Sequence, residues 1–164
     1  MLALMLLVEG LVVCFIVLLA CVVGIQNGAQ GLIFLYEKDV QERAIANGLI
    51  TREKIVSNGK KFKIWGIGSM IVFLLIAAYG LNGARGFWDP FWQMTVMLYI
   101  EVLFDRIFID WYWVGYTKTW VIPDTEDLKP YIPKKIMIKK WVASMIGFPI
   151  LAAILSGIML LFVK

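Results

Sequence analysis

The sequence contains no histidine and only two cysteines among its 164 residues. Without histidine, the chain cannot supply a bis-histidine haem, an HExxH zinc site or a Ser-His-Asp triad. Cys14 and Cys21 are about 10 Å apart along a helix, which is too far for a disulfide between them. The nucleotide-binding motifs GxGxxG and GxxxxGK[ST] are also missing. We therefore predict no haem, no histidine-based metal site and no other resident cofactor, although a hard cation could still bind.

The composition is far more apolar than that of a soluble domain. Hydrophobic residues make up 61% of the chain, against about 45–50% in soluble domains. Four apolar stretches each approach or exceed the ~20 residues that cross a bilayer, and in lipid they should be helical. We predict an all-α integral membrane bundle of four transmembrane helices in a single domain, residues 1–164. The spans are expected at about 1–25, 64–84, 90–115 and 141–163.

Positive charge is unevenly distributed between the connecting segments. The formal net charge is +4, and nearly all lysines and arginines lie in two long loops, 26–63 and 116–140. The short turn between the second and third spans holds only Arg85. The positive-inside rule predicts a multi-pass protein of the cell membrane with both long loops cytoplasmic and both termini outside. Because these charges flank apolar spans, they do not indicate nucleic-acid binding.

The first long loop carries signals for short helices. Its mixed-charge stretch ends at Asn47-Gly48, a common stop signal, and Thr51 can cap a second short helix over residues 52–57. We expect both helices to lie on the cytoplasmic membrane surface. Alternatively, residues 32–36 extend the first span, which would move Glu9 towards the outer surface.

The third span contains four ionisable residues where lipid should surround it. Glu101 lies roughly 16 Å along the helix from Pro90, near the midplane, where a charge costs from about 2.5 kcal/mol upward. At about 100° per residue, Glu101 and Asp105 share one face, and Arg106 and Asp110 share nearly the opposite face. Arg106 and Asp110 can pair as residues i and i+4. The two acids of the first face repel each other unless one is protonated or both hold a cation.

These charges have a structural and a functional interpretation. As structural groups, they lock helices together through buried polar contacts. As a site, Glu101 and Asp105 bind a proton or a cation, Glu9 joins them from a similar depth, and Arg106–Asp110 is a supporting ion pair. Carboxylate oxygens suit hard cations, although no spacing here matches a metal motif. Two opposed polar faces favour the functional interpretation, because neither face can meet lipid.

The sequence therefore favours a proton- or cation-linked transporter or channel in the lipid bilayer. A homo-oligomer is expected, because four helices rarely enclose both polar faces of one member. The alternative is a non-enzymatic accessory or scaffold subunit whose third-span charges pair with a partner membrane subunit. A lipid-processing enzyme that uses carboxylates and a metal is a third class, less favoured because the sequence lacks a double Asp-rich motif. An activity other than catalysis is thus expected.

Overall fold

The computed structural model describes residues 1–163, and the chain is all-helical. Helices account for 79% of it, and the described residues contain no strand. Short 3₁₀ helices occupy Ala29–Leu35 and Glu126–Leu128. The five longer helices are α1 (Leu2–Ile25), α2 (Lys38–Ala46), α3 (Arg52–Leu81), α4 (Trp88–Phe104, continuing as π-helical turns through Asp105–Val114) and α5 (Lys134–Met159).

Three of these helices are long and apolar enough to cross a membrane. They are α1, α3 and α5, with 24, 30 and 26 residues. Their outward faces are apolar: Ile146, Ile150 and Ile154 follow each other at four-residue spacing on α5, and each is more than half exposed. Such a surface is unusual for a soluble monomer. It is compatible with a membrane protein.

Helix α4 lies between α1 and α5 and packs along both of them. Its side chains Met94, Met97 and Leu98 are fully buried in the core between the helices. Of its charged residues, Glu101, Arg106 and Asp110 are also buried, whereas Asp105 is partly exposed. Helix α4 is not among the helices that are apolar enough to cross a membrane, because it carries four ionisable groups between residues 101 and 110.

The chain reverses direction directly after α1. Gly28 has a φ of +103°, which glycine adopts without the penalty that a side chain would bring. This turn folds Ala29–Leu35 back against the end of α1, where Leu32 and Ile33 join a core with α2 and the 115–133 loop. The 32–36 segment therefore does not extend the first span.

Helices α3 and α5 both begin earlier than the sequence predicts. Residues 52–63, expected as a loop with a separate short helix, form the first turns of α3, and the Thr51 side chain accepts the amide hydrogen of Lys54 (3.3 Å). Helix α5 starts directly after Pro133, and proline is tolerated at the start of a helix. Residues 134–140, expected in the second loop, therefore lie on its first two turns.

Gly31 packs against the backbone of α1 so closely that no side chain fits. A Cβ atom there would lie 2.0 Å from the carbonyl oxygen of Gly24, so we expect Gly31→Ala to destabilise the fold by roughly 1–3 kcal/mol. In Gly157→Ala, the matched control, the added methyl meets nothing within 4 Å. Thermal unfolding can be followed with a thiol-reactive dye, because Cys14 and Cys21 are buried. Equal melting temperatures for the two variants would contradict the close contact between Gly31 and the Gly24 carbonyl oxygen.

Candidate functional site

Four charged residues of α4 line a single cavity of about 600 Å³. Helices α1, α3, α4 and α5 form its walls, and aromatic residues of the connecting segments contribute to the lining. Five charged side chains face it, four from α4 and one from α5: Glu101, Asp105, Arg106, Asp110 and Lys140. We call this volume the α4 cavity. It brings four of the five predicted site residues together.

The prediction of two opposed polar faces on α4 is wrong, because the helix changes its pitch where the charges begin. From Asp105 onward the backbone forms π-helical turns with i to i+5 hydrogen bonds. Residues five apart then lie on the same side, so Asp105 and Asp110 flank Arg106. The four charged groups between residues 101 and 110 consequently face the same cavity.

Arg106 and Asp110 form the centre of a buried ion-pair network. The Arg106 Nη1 donates to the carboxylate of Asp105 and to Asp110 Oδ2 (2.6 Å), and Nη2 donates to Ser144 Oγ (2.9 Å). The Lys140 ammonium donates to Asp110 Oδ1 at 2.6 Å. Since Asp110 is only 5% exposed, these two cations compensate its loss of hydration. The i, i+4 pair expected from helical spacing is thus one part of a larger network.

Glu101 is the member of the cavity without a partner. It is 4% exposed, and its carboxyl makes no hydrogen bond or ion pair with another residue of the described chain. Three carboxyl groups line the cavity against two cationic side chains, which leaves one carboxyl without a compensating charge. Burial without a compensating charge disfavours the ionised form of a carboxyl. Glu101 is therefore the residue best placed to take up a proton or a cation.

An aromatic cluster of Tyr36, Trp120 and Tyr131 forms another part of the cavity wall. The Tyr36 hydroxyl donates to the Trp120 carbonyl oxygen (2.6 Å), and its ring meets that of Tyr131 edge to face with 5.1 Å between the centroids. Burial, and to a lesser extent Tyr131, raises the pKa of the Tyr36 phenol above its usual value. The phenol therefore stays neutral at physiological pH, and this wall carries no charge.

Glu9 lies in a second polar network, away from the α4 cavity. It is 6% exposed and accepts a hydrogen bond from Asn82 Nδ2 (2.9 Å), which also donates to Gln93 Oε1 (2.9 Å). Gln93 in turn donates to the exposed Asp89 (2.8 Å). This chain of hydrogen bonds links a buried carboxyl on α1 to the first turn of α4. We call it the Glu9 network.

The structure does not gather Glu9, Glu101 and Asp105 into one carboxylate cluster. Over residues 1–163, no group of three or more Asp, Glu, Cys or His side chains lies close enough to hold a metal ion. The contact that comes nearest to joining them is between the next residue, Gly10, and the Ile100 side chain. Glu9 itself does not line the α4 cavity.

Four polar residues of these two networks were not identified from the sequence alone: Lys140, Ser144, Asn82 and Gln93. Lys140 and Ser144 are four residues apart at the start of an apolar helix, so their common face could have indicated a role inside the protein. Asn82 and Gln93 give no such signal, because only the folded chain brings them to Glu9.

Compared with protein-family models, with curated proteins and with solved structures, the chain matches none of them.

Proposed function

We propose that the chain is a four-span membrane protein that moves a proton or a small cation through the α4 cavity. Helix α4 packs between α1 and α5, so if those two cross a bilayer, α4 lies within it and forms the fourth span of a bundle. The lysine-rich first turns of α3 and α5 face one side of the membrane, and the short turn with Arg85 faces the other. The positive-inside rule makes the first side cytoplasmic and leaves both termini outside.

The unpaired carboxyl of Glu101 carries this proposal. In the ion-pair network, the two carboxylates of Asp105 and Asp110 balance the two cations of Arg106 and Lys140, which leaves no cation for Glu101. An additional buried carboxyl in a membrane costs about 2.5 kcal/mol or more if it is ionised. A proton or a cation bound to Glu101 neutralises that charge and removes much of the cost. An exchangeable proton or cation at Glu101 therefore explains why the carboxyl is tolerated there.

The Glu9 network supplies polar groups for the outer part of such a path, from the surface as far as Glu9. It begins at exposed Asp89 and ends at buried Glu9. Gly10, the next residue, touches Ile100, which immediately precedes Glu101. We assign Glu9 to the outer half of the path and Glu101 and Asp105 to the cavity, with Arg106–Asp110 as the ion pair that fixes their positions.

Reconstitution in liposomes tests the proposal. Full-length protein is incorporated, a pH gradient or a monovalent-cation gradient is imposed, and a trapped indicator dye reports the flux. We expect the gradient of at least one of these ions to dissipate faster than in protein-free liposomes. Well-folded protein that conducts neither protons nor cations under any gradient would contradict the proposal.

An accessory subunit is the competing function, and the same preparation distinguishes it. Residues of one chain line the α4 cavity, which is partly open to its surroundings, and a second protomer could cover that opening. A partner membrane subunit would have to supply the missing positive charge near Glu101. Absence of flux, together with a membrane protein that co-purifies in native lipid, would favour this role.

A further inference from the structure

A second cavity, of about 790 Å³, lies between the C-terminal half of α1 and the N-terminal half of α3. Its only charged lining residues among those described are Lys54 and Lys61, and neither forms an ion pair with residues 1–163. The amide side chains of Gln26 and Asn27 stand at the same end. This end of the groove therefore offers several hydrogen-bond donors and two uncompensated positive charges.

The polarity of the groove changes along its length. On α3, the lining residues run from Lys54 and Lys61 to Trp65 and Ser69, and the α1 side beyond the amides is apolar. Trp65 is 77% exposed, and exposed tryptophans mark the boundary between headgroups and hydrocarbon. Lys61 lies about one helical turn from Trp65, on the side of the loop. In a bilayer, this position would be level with the lipid phosphates.

We propose that this groove binds an anionic glycerophospholipid of the cytoplasmic leaflet. The lipid phosphate meets the ammonium groups of Lys54 and Lys61, and an acyl chain follows the apolar lining towards Ser69. A zwitterionic lipid carries no net charge to balance the two lysines, whereas anionic lipids are attracted by juxtamembrane basic residues. The inference depends on α1 and α3 lying in a bilayer, as the proposed function does, but not on Glu101.

Lipid binding by the full-length protein can be measured by native mass spectrometry in detergent, with phosphatidylglycerol and phosphatidylcholine of identical acyl chains. We expect phosphatidylglycerol to bind more tightly. The Lys54→Gln/Lys61→Gln double variant should lose roughly 25-fold in affinity for it, since each such lysine contributes a factor of about 5. Lys60→Gln/Lys63→Gln is the matched control: it removes the same charge from exposed positions on the same helix that do not line the groove.

A second variant tests the apolar end. Ser69→Trp fills the space along the acyl chain and leaves the two lysines unchanged. We expect it to weaken the binding of both lipids. Equal loss in the two double variants, equal affinity for the two lipids, or displacement by inorganic phosphate would overturn the proposal. Ion flux through the same preparations is a separate readout, so normal flux without lipid selectivity would refute the lipid site and leave the proposed function standing.

Discussion

Replacement of Glu101 by glutamine is expected to abolish proton or cation flux while the protein stays folded. Glutamine preserves the size of the side chain but cannot bind a proton or balance a cation at this position. The change also removes the unpaired carboxyl from the α4 cavity, leaving equal numbers of acidic and basic side chains there. We therefore expect the variant to be at least as stable as the wild-type protein, which separates loss of function from loss of fold.

Glu126→Gln is the control for this prediction. It makes the same chemical change at an exposed residue of the loop between α4 and α5, and it should conduct as the wild type does. Flux is measured in liposomes with matched protein content, and unfolding with the thiol-reactive dye. Wild-type flux in Glu101→Gln would refute the role assigned to this residue.

Replacement of Arg106, unlike that of Glu101, is expected to destabilise the fold. Its guanidinium contacts Asp105, Asp110 and Ser144, and the residue is only 8% exposed. Arg106→Gln leaves three carboxyl groups in the cavity with Lys140 as the only cation among the lining residues. Breaking a buried pair from one side costs about 3–5 kcal/mol, so we expect a corresponding fall in melting temperature and poor accumulation in membranes.

Two further variants sharpen this test. Arg52→Gln removes an arginine from an exposed position at the start of α3 and should change stability by no more than roughly 0.5 kcal/mol. Arg106→Gln combined with Asp105→Asn removes one charge of each sign and should recover much of the lost stability. If Arg106→Gln melts like Arg52→Gln, the buried network does not stabilise the protein.

The helices were largely predictable because apolar runs and end signals act locally. The first apolar run predicts α1, and the Thr51 cap marks the start of α3. The i, i+4 spacing likewise indicates the Arg106–Asp110 pair. In each case the cause lies within a few residues of the effect, so the sequence alone contains it.

The composition of the site was less predictable because distant residues decide it. The π-helical turns from Asp105 place the four charges between residues 101 and 110 on one side, which the usual pitch does not anticipate. Lys140 and Ser144 reach the site only because α5 packs along α4. Similarly, the partner of Glu9 comes from the turn after α3, a contact without any pattern in the sequence.

The central claim is that Glu101 exchanges a proton or a cation within the α4 cavity. Infrared difference spectroscopy of the full-length protein in lipid tests it directly, with spectra recorded across a pH step and upon addition of a monovalent cation. We predict a change in the carboxyl bands of the wild-type protein under at least one of these conditions, and the loss of that change in Glu101→Gln. Identical difference spectra from the two proteins would contradict the claim.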